Sequence, residues 1–207
     1  MYNPQKFKET DMDLAFDLMD KYSFSTVVTV YEGKSFISHL PLTPMRAGNE
    51  IELFGHLAKA NPHWKLLANG QTTFIFQGAN TYITPKWYVH DDVPTWNYSV
   101  AHVSGEISLI EDREGLIECL KVLTSKSEEK WPSDWDFYVP EDLQGNNIEK
   151  YIVGFRVKVK ELNFKRKLSQ NKTVEDQKGV IKGLKERKDE QSQQVLADMI
   201  QIYEMNL

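Results

Sequence analysis

The stretch VPTWNYSVAHVSGEISLI, Val93 to Ile110, joins two kinds of sequence. Its second half alternates with the period of two that marks a β-strand packed on one face. Its first half sets Pro94, Trp96, Asn97 and Tyr98 at the strand entrance. Two large amphipathic rings beside an amide suit a packed strand edge. They equally suit a wall and a hydrogen-bonding handle for a planar ligand. The fold turns on how many other runs behave in the same way.

Upstream, STVVTVY and KSFISHLPL flank Glu32-Gly33 and read as a hairpin of β-branched strands about a glycine turn. Gly48-Asn49 marks a second turn before EIELFGHL. TTFIFQG and NTYITP read as two further strand-like runs, and Asp91 to Pro94 as a loop. KYIVGFRVKVKELNF is the last strand, with Val153, Phe155, Val157 and Val159 alternating with basic residues. Helical patterns occupy TDMDLAFDLMDKYSF, the short NPHWKLLANG, DREGLIECLKVLTSKSEEK, TVEDQKGVIKGLKE and DEQSQQVLADMIQIYEMNL. WPSDWDFYVPEDLQG reads as an aromatic packed loop with one helical turn. Roughly six strands with few long helices between them predict a mainly β fold, an antiparallel sheet closed into a barrel with peripheral helices.

At 207 residues, 41% apolar and 27% charged, the chain suits one substantial domain, or one with a small appendage. No run reaches the roughly 18 apolar residues that span a membrane. The N-terminal MYNPQKFKETDMD lacks the apolar core of a secretory signal. The single cysteine, Cys119, cannot form an internal disulfide, so a soluble cytoplasmic protein is expected. Net charge is −5, yet Arg156 to Lys188 holds 12 Lys or Arg against 4 Asp or Glu, a balance of +8 that leaves −13 elsewhere. That run is the candidate surface for DNA, an acidic partner or a phosphate-bearing ligand, and a solvated helix face explains it equally well.

Phosphate-loop, dinucleotide-fingerprint, HExxH, CxxC and GxSxG motifs are all missing. The five histidines have no recognised metal spacing, and Cys119 sits on an apolar helix stripe, the setting of a structural thiol. Four strand ends instead mix a proline or glycine with polar donors: SHLPL, GHLAKANPHW, ITPKWY and PTWNY. Prolines are tolerated at such ends because no ladder donor is needed there. In GHLAKANP a helix beginning near Asn61-Pro62 would direct unpaired N–H groups at a phosphate, with Lys59 adding charge and His56 or Asn61 further donors.

Taken in order, MYNPQKF, HLPL, GHLAKANPHW, YITPKWY, VPTWNYSVAHVSG and KLSQNK resemble the PaiB-type family of FMN-binding negative transcriptional regulators linked to protease synthesis and sporulation. The likeness runs from Met1 to about Leu184. It implies an FMN-binding split β-barrel with C-terminal helices, in which two subunits pair with flavin between them. Residues 1–165 would form the barrel, and residues 166–207 a basic segment and helices packed on it or on the partner subunit. The resemblance puts Ser38, His39, Leu40 and Pro41 along the ring edge. It sets Trp96 and Asn97 near the ring or the dimer seam, with Trp87 and His56 also in the cofactor set. Lys59 and Asn61 would approach the phosphate, while Lys167, Ser169, Gln170 and Asn171 reach the site, in the family, from the partner. An arginine is usual in the family where this chain has Lys59; lysine keeps the charge and loses the bidentate fork.

Two functions follow from the resemblance. One is a dimeric FMN-binding repressor contacting DNA, if at all, through Arg156–Lys188. The other is an FMN-dependent oxidoreductase of the pyridoxamine-phosphate-oxidase or flavin-reductase class, with His39 and His56 as the available acid–base groups. A scaffold holding no flavin, or another phosphate ligand, is the third reading.

Overall fold

The structure is a computed structural model and describes residues 1–48, 50–131, 133–138 and 148–204. Asn49 of the expected second turn, residues 132 and 139–145 of the expected aromatic loop and residues 205–207 of the expected last helix lie outside these. The strands are β1 (Lys8–Glu9), β2 (Phe24–Tyr31), β3 (Lys34–Pro41), β4 (Thr43–Ala47), β5 (Glu50–Ala58), β6 (Gln71–Ile83), β7 (Thr95–Ile110) and β8 (Ile152–Lys167). The α-helices are α1 (Met12–Lys21), α2 (Trp64–Leu67), α3 (Arg113–Lys130), α4 (Val174–Glu186) and α5 (Glu190–Glu204). Strand order in the sheet is β3-β2-β6-β7-β8-β5-β4, with β1 also on β8, and the pairs β1–β8, β2–β3, β2–β6, β4–β5 and β5–β8 are antiparallel.

Two expectations change. TTFIFQG and NTYITP are one continuous strand, β6, because Gly78 is buried and no second turn residue accompanies it to force a bend. NPHWKLLANG holds only one helical turn, which begins after His63. The helix start expected near Asn61 thus falls two residues later, and its four residues carry little aligned peptide dipole.

The described chain divides into two compact units. A central unit comprises Phe16–Phe76 and His102–Leu162, and a terminal unit comprises Met1–Ala15, Gln77–Ala101 and Asn163–Leu207. In the central unit the β2–β3 hairpin turns on Glu32 and Gly33, whose φ values of 49° and 73° match the positive-φ pair that a two-residue hairpin requires. The register pairs Val28 with Ile37 and Thr26 with His39, so the outer face carries Phe24, Val28, Val30, Ile37, His39 and Pro41. Ser25, Val27, Thr29, Ser38 and Leu40 take the other face. The rings of Phe74 and Phe155 stack at 6.1 Å in the core, a contact worth about 0.5–1.5 kcal/mol beyond its area. Asp112 caps α3 by accepting from the Gly115 N–H at 2.9 Å, and the buried Cys119 thiol on that helix donates to the Gly55 carbonyl at 3.6 Å.

In the terminal unit, α4 and α5 pack together through Val180, Leu184, Val195 and Met199, all buried. Thr173 caps α4 by accepting from the Asp176 N–H at 3.2 Å. Asp176 is itself buried and accepts from the Val89 and His90 N–H groups at 2.8 and 3.2 Å, tying the loop before β7 to this helix. Gly179 and Gly183 leave room for Trp87; a Cβ on either would come within 2.1 Å of its backbone or ring. Arg187 covers the Trp87 ring at 4.5 Å.

Candidate functional site

In the central unit a hydrogen-bond chain runs through the inner face of the β2–β3 hairpin. The Asn61 amide donates to Ser38 Oγ at 3.1 Å, and Ser38 Oγ lies 2.8 Å from His63 Nδ1. His63 Nε2 lies 2.8 Å from Thr29 Oγ1, which is 2.8 Å from Thr72 Oγ1. Thr72 donates to the Leu67 carbonyl at 2.9 Å. His63 is buried, and burial lowers its pKa below the usual imidazole value. Ser38 and Asn61 are half-buried and open to a ligand.

The structure thus brings Ser38 and Asn61 together. His39 and Pro41 leave the strand on the opposite face from Ser38, and Leu40 is buried with its carbonyl accepting from Ser25 Oγ at 3.1 Å. A strand segment cannot present four successive side chains to one ring edge. Lys59 pairs with Glu111 at 3.3 Å and stands 5.5 Å over the Trp64 ring. His56 lines a second cavity of about 270 Å³ with Pro41, Leu42, Leu120 and Trp131. Its Nδ1 is buried without a hydrogen-bond partner among the described residues, and burial lowers its pKa.

The terminal unit gathers the other expected residues. Trp96 is 52% exposed and meets Tyr82 edge-on at 6.0 Å. Asn97, the next residue, is fully buried and faces Ser169, its amide donating to Ser169 Oγ at 2.9 Å. Lys167 donates to the Trp96 carbonyl at 2.8 Å and to Thr95 Oγ1. Burial lowers its pKa, as do Lys165 and Lys172 nearby. Gln170 serves its own loop, accepting from the Leu168 N–H at 2.7 Å and donating to the Arg166 carbonyl at 2.6 Å. Asn171 is exposed, and Trp87 is held between α4 and Arg187. A groove of about 500 Å³ between α4 and α5 is lined by Val174, Ile181, Ile202 and Tyr203 with Gln170, Gln177 and Lys178.

Most of the basic run is engaged internally. Arg156, Lys158 and Lys160 pair with Glu52, Glu50 and Glu106 at 3.8, 2.7 and 3.4 Å. Arg166 is buried and donates to the Asp198 carbonyl at 3.2 Å and to Gln201 at 2.9 Å. Lys165 lies 5.2 Å over the Tyr98 ring, and Lys172 meets Asp92. Exposed side chains remain at Lys178, Lys182, Lys185 and Lys188, on α4 and just beyond it.

Sequence reading missed His63, Thr29 and Thr72. The signal was available at Thr29, a hydroxyl on the inward face of its strand, since a buried hydroxyl must find a partner.

Comparison with known proteins gives the setting. The family model described as "Putative FMN-binding domain" matches residues 1–161. The chain belongs to this family. It is 35% identical over 198 residues to the protease synthase and sporulation protein PAI 2 of Bacillus subtilis (strain 168), covering 94% of each chain. Among solved structures, it resembles the FAD and heme binding protein of Mycobacterium smegmatis at a TM-score of 0.60 and 15% identity, over 77% of this chain and 73% of that one. The flavocytochrome Anf3 of Azotobacter vinelandii gives a TM-score of 0.56 at 14% identity, over 77% and 69%. The mainly β, split-barrel class with C-terminal helices that the resemblance implied is the class shown.

A flavin is the cofactor this family implies, and the groups present fit its parts. Ser38 and Asn61 offer neutral hydrogen-bonding capacity of the kind that a ring edge or polyol chain takes up. Lys59 offers a cation for the phosphate, with its field reduced by Glu111. Among the described residues, no helix is long and apolar enough to cross a membrane.

Proposed function

We propose that this chain is a homodimeric FMN-binding regulator that lowers protease synthesis and sporulation. One structural observation carries the binding reading: Ser38 and Asn61, half-buried on the inner face of the hairpin, are held in a fixed hydrogen-bond chain through His63 and offer polar partners to a ligand. Kinship over 94% of both chains with a protein named for protease synthesis and sporulation supports the regulatory part. A bound flavin would supply a two-electron redox centre; the chain's own groups bind it, orient it and exclude water.

The outer face of the β2–β3 hairpin supports pairing of two copies. Phe24, Val30 and Ile37 are 69%, 41% and 59% exposed there, an apolar face that a second copy would cover. Trp96, Lys167 and Asn171 are the groups we assign to the completed dimer site. Any DNA contact falls to Lys178, Lys182, Lys185 and Lys188, because the rest of the basic run is engaged.

The test has two parts. Purified protein mixed with FMN and freed of excess should keep a flavin absorption spectrum and sediment as a dimer. Gel shifts at low salt should show DNA binding that weakens steeply as salt rises, and no binding at low salt would leave the regulatory role indirect. The second reading is an FMN-dependent oxidoreductase. The unpartnered His56 Nδ1 on its cavity favours it, since that atom could hold a substrate group. Anaerobic bleaching of the flavin by NAD(P)H at a catalytic rate would decide for the enzyme.

A further inference from the structure

The chain of hydrogen bonds through His63 ends on two backbone groups whose polarity cannot change. At one end the His63 N–H donates to Asn61 Oδ1 at 3.1 Å, which turns the amide nitrogen of Asn61 toward Ser38. At the other end the Thr72 hydroxyl donates to the Leu67 carbonyl at 2.9 Å. A hydroxyl has one proton, so Thr72 accepts from Thr29, and Thr29 in turn accepts from His63 Nε2–H. A buried neutral imidazole protonated at Nε2 carries a lone pair at Nδ1. Ser38 therefore donates its proton into His63 Nδ1 and receives the Asn61 N–H on one lone pair.

What Ser38 shows to a ligand is its second lone pair. We propose that His63 is a positioning residue that holds Ser38 as an acceptor, so that the ligand group seated on Ser38 is a neutral donor, an imide N–H or a polyol hydroxyl, and not a phosphate oxygen. An anionic oxygen there would face a lone pair. Turning the Ser38 proton outward to meet it would leave His63 Nδ1 buried without a partner, which costs about as much as the new bond returns. The phosphate of a nucleotide ligand must then lie elsewhere, with Lys59 the nearest candidate cation in sequence. The polarity stands on the hydrogen bonds alone; the identity of the donor as part of a flavin rests on the function proposed above.

Nitrogen-15 NMR of the His63 ring in the ligand-free protein tests the polarity. We expect the Nε2–H tautomer with a bare Nδ1, and an Nδ1–H tautomer would overturn the proposal. Fluorescence titration of FMN and of riboflavin into the parent protein and Ser38→Ala tests the ligand group. The substitution should weaken both flavins by the same factor, about fivefold to tenfold for one lost hydrogen bond. A loss confined to FMN, or no loss for either flavin, would overturn it. Failure of the parent protein to bind either flavin would reject the flavin reading instead, and the ring tautomer would still decide the polarity of Ser38.

Discussion

Asn97 and Ser169 hold each other by two hydrogen bonds across 72 residues of sequence: the amide donates to the hydroxyl at 2.9 Å, and Ser169 Oγ lies 3.2 Å from Asn97 Oδ1. Both residues are buried, and Ser169 sits at φ 68°, a left-handed conformation that side chains other than glycine rarely adopt. The pair clamps the end of β8 to the start of β7 inside the terminal unit. It also answers half of the question posed by PTWNY. The amide is a structural tie, while the adjacent Trp96 leaves the opposite face of the strand and is exposed.

Asn97→Ala removes both bonds and leaves the Ser169 hydroxyl buried. It should destabilise the protein by about 2 kcal/mol in urea unfolding. Ser169→Gly should cost less than Ser169→Ala, because glycine tolerates the positive φ. Equal costs for the two would mean that the backbone conformation stores no strain.

Acid should destabilise the fold. Burial holds the imidazoles of His56, His63 and His102 below their usual value of 6.5. The unfolded chain therefore takes up protons from about pH 6.5 downward that the folded chain refuses, and stability falls until the folded values are reached. The urea midpoint should be flat above about pH 7 and drop below it. A midpoint that rises on acidification would contradict this account.

The Cys119 thiol should be inert in the native protein. Burial pushes its pKa up to about 11, so almost no thiolate exists at neutral pH. A thiol reagent at pH 8 should label it only as fast as the protein unfolds, and complete labelling within minutes under native conditions would show otherwise.

Gly183→Ala places a methyl group about 2.1 Å from the Trp87 ring. The ring must leave its seat beneath Arg187. We expect a loss of about 1–3 kcal/mol and a changed tryptophan emission spectrum. An unchanged spectrum would mean that Trp87 is not held where α4 places it.

Much of the fold was legible in the sequence. The hairpin at Glu32-Gly33, the long strand ending at Ile110, the body of the last strand up to Phe164, the helices after Asp112 and Thr173 and the burial of Cys119 follow from local signals. Alternation, capping side chains and turn residues act over a few positions, so a linear reading reaches them. Where a signal was ambiguous the reading slipped: a lone glycine at 78 looked like a break, and Asn-Pro at 61–62 looked like a helix start.

The site was legible only as a set of residue types in order, and this set carried the family. Which of them meet was settled by tertiary structure. Ser38 and His39 are neighbours in sequence, yet strand register sends them to opposite faces. His63 gained its importance from Thr29 and Thr72, which reach it only once β2 and β6 pair. The basic run looked like an open surface until Glu50, Glu52, Glu106 and Asp92 were brought against it. A hydrogen-bond partner or a counter-ion is chosen by geometry within a few ångströms, and chain folding creates that proximity between residues that the sequence keeps far apart.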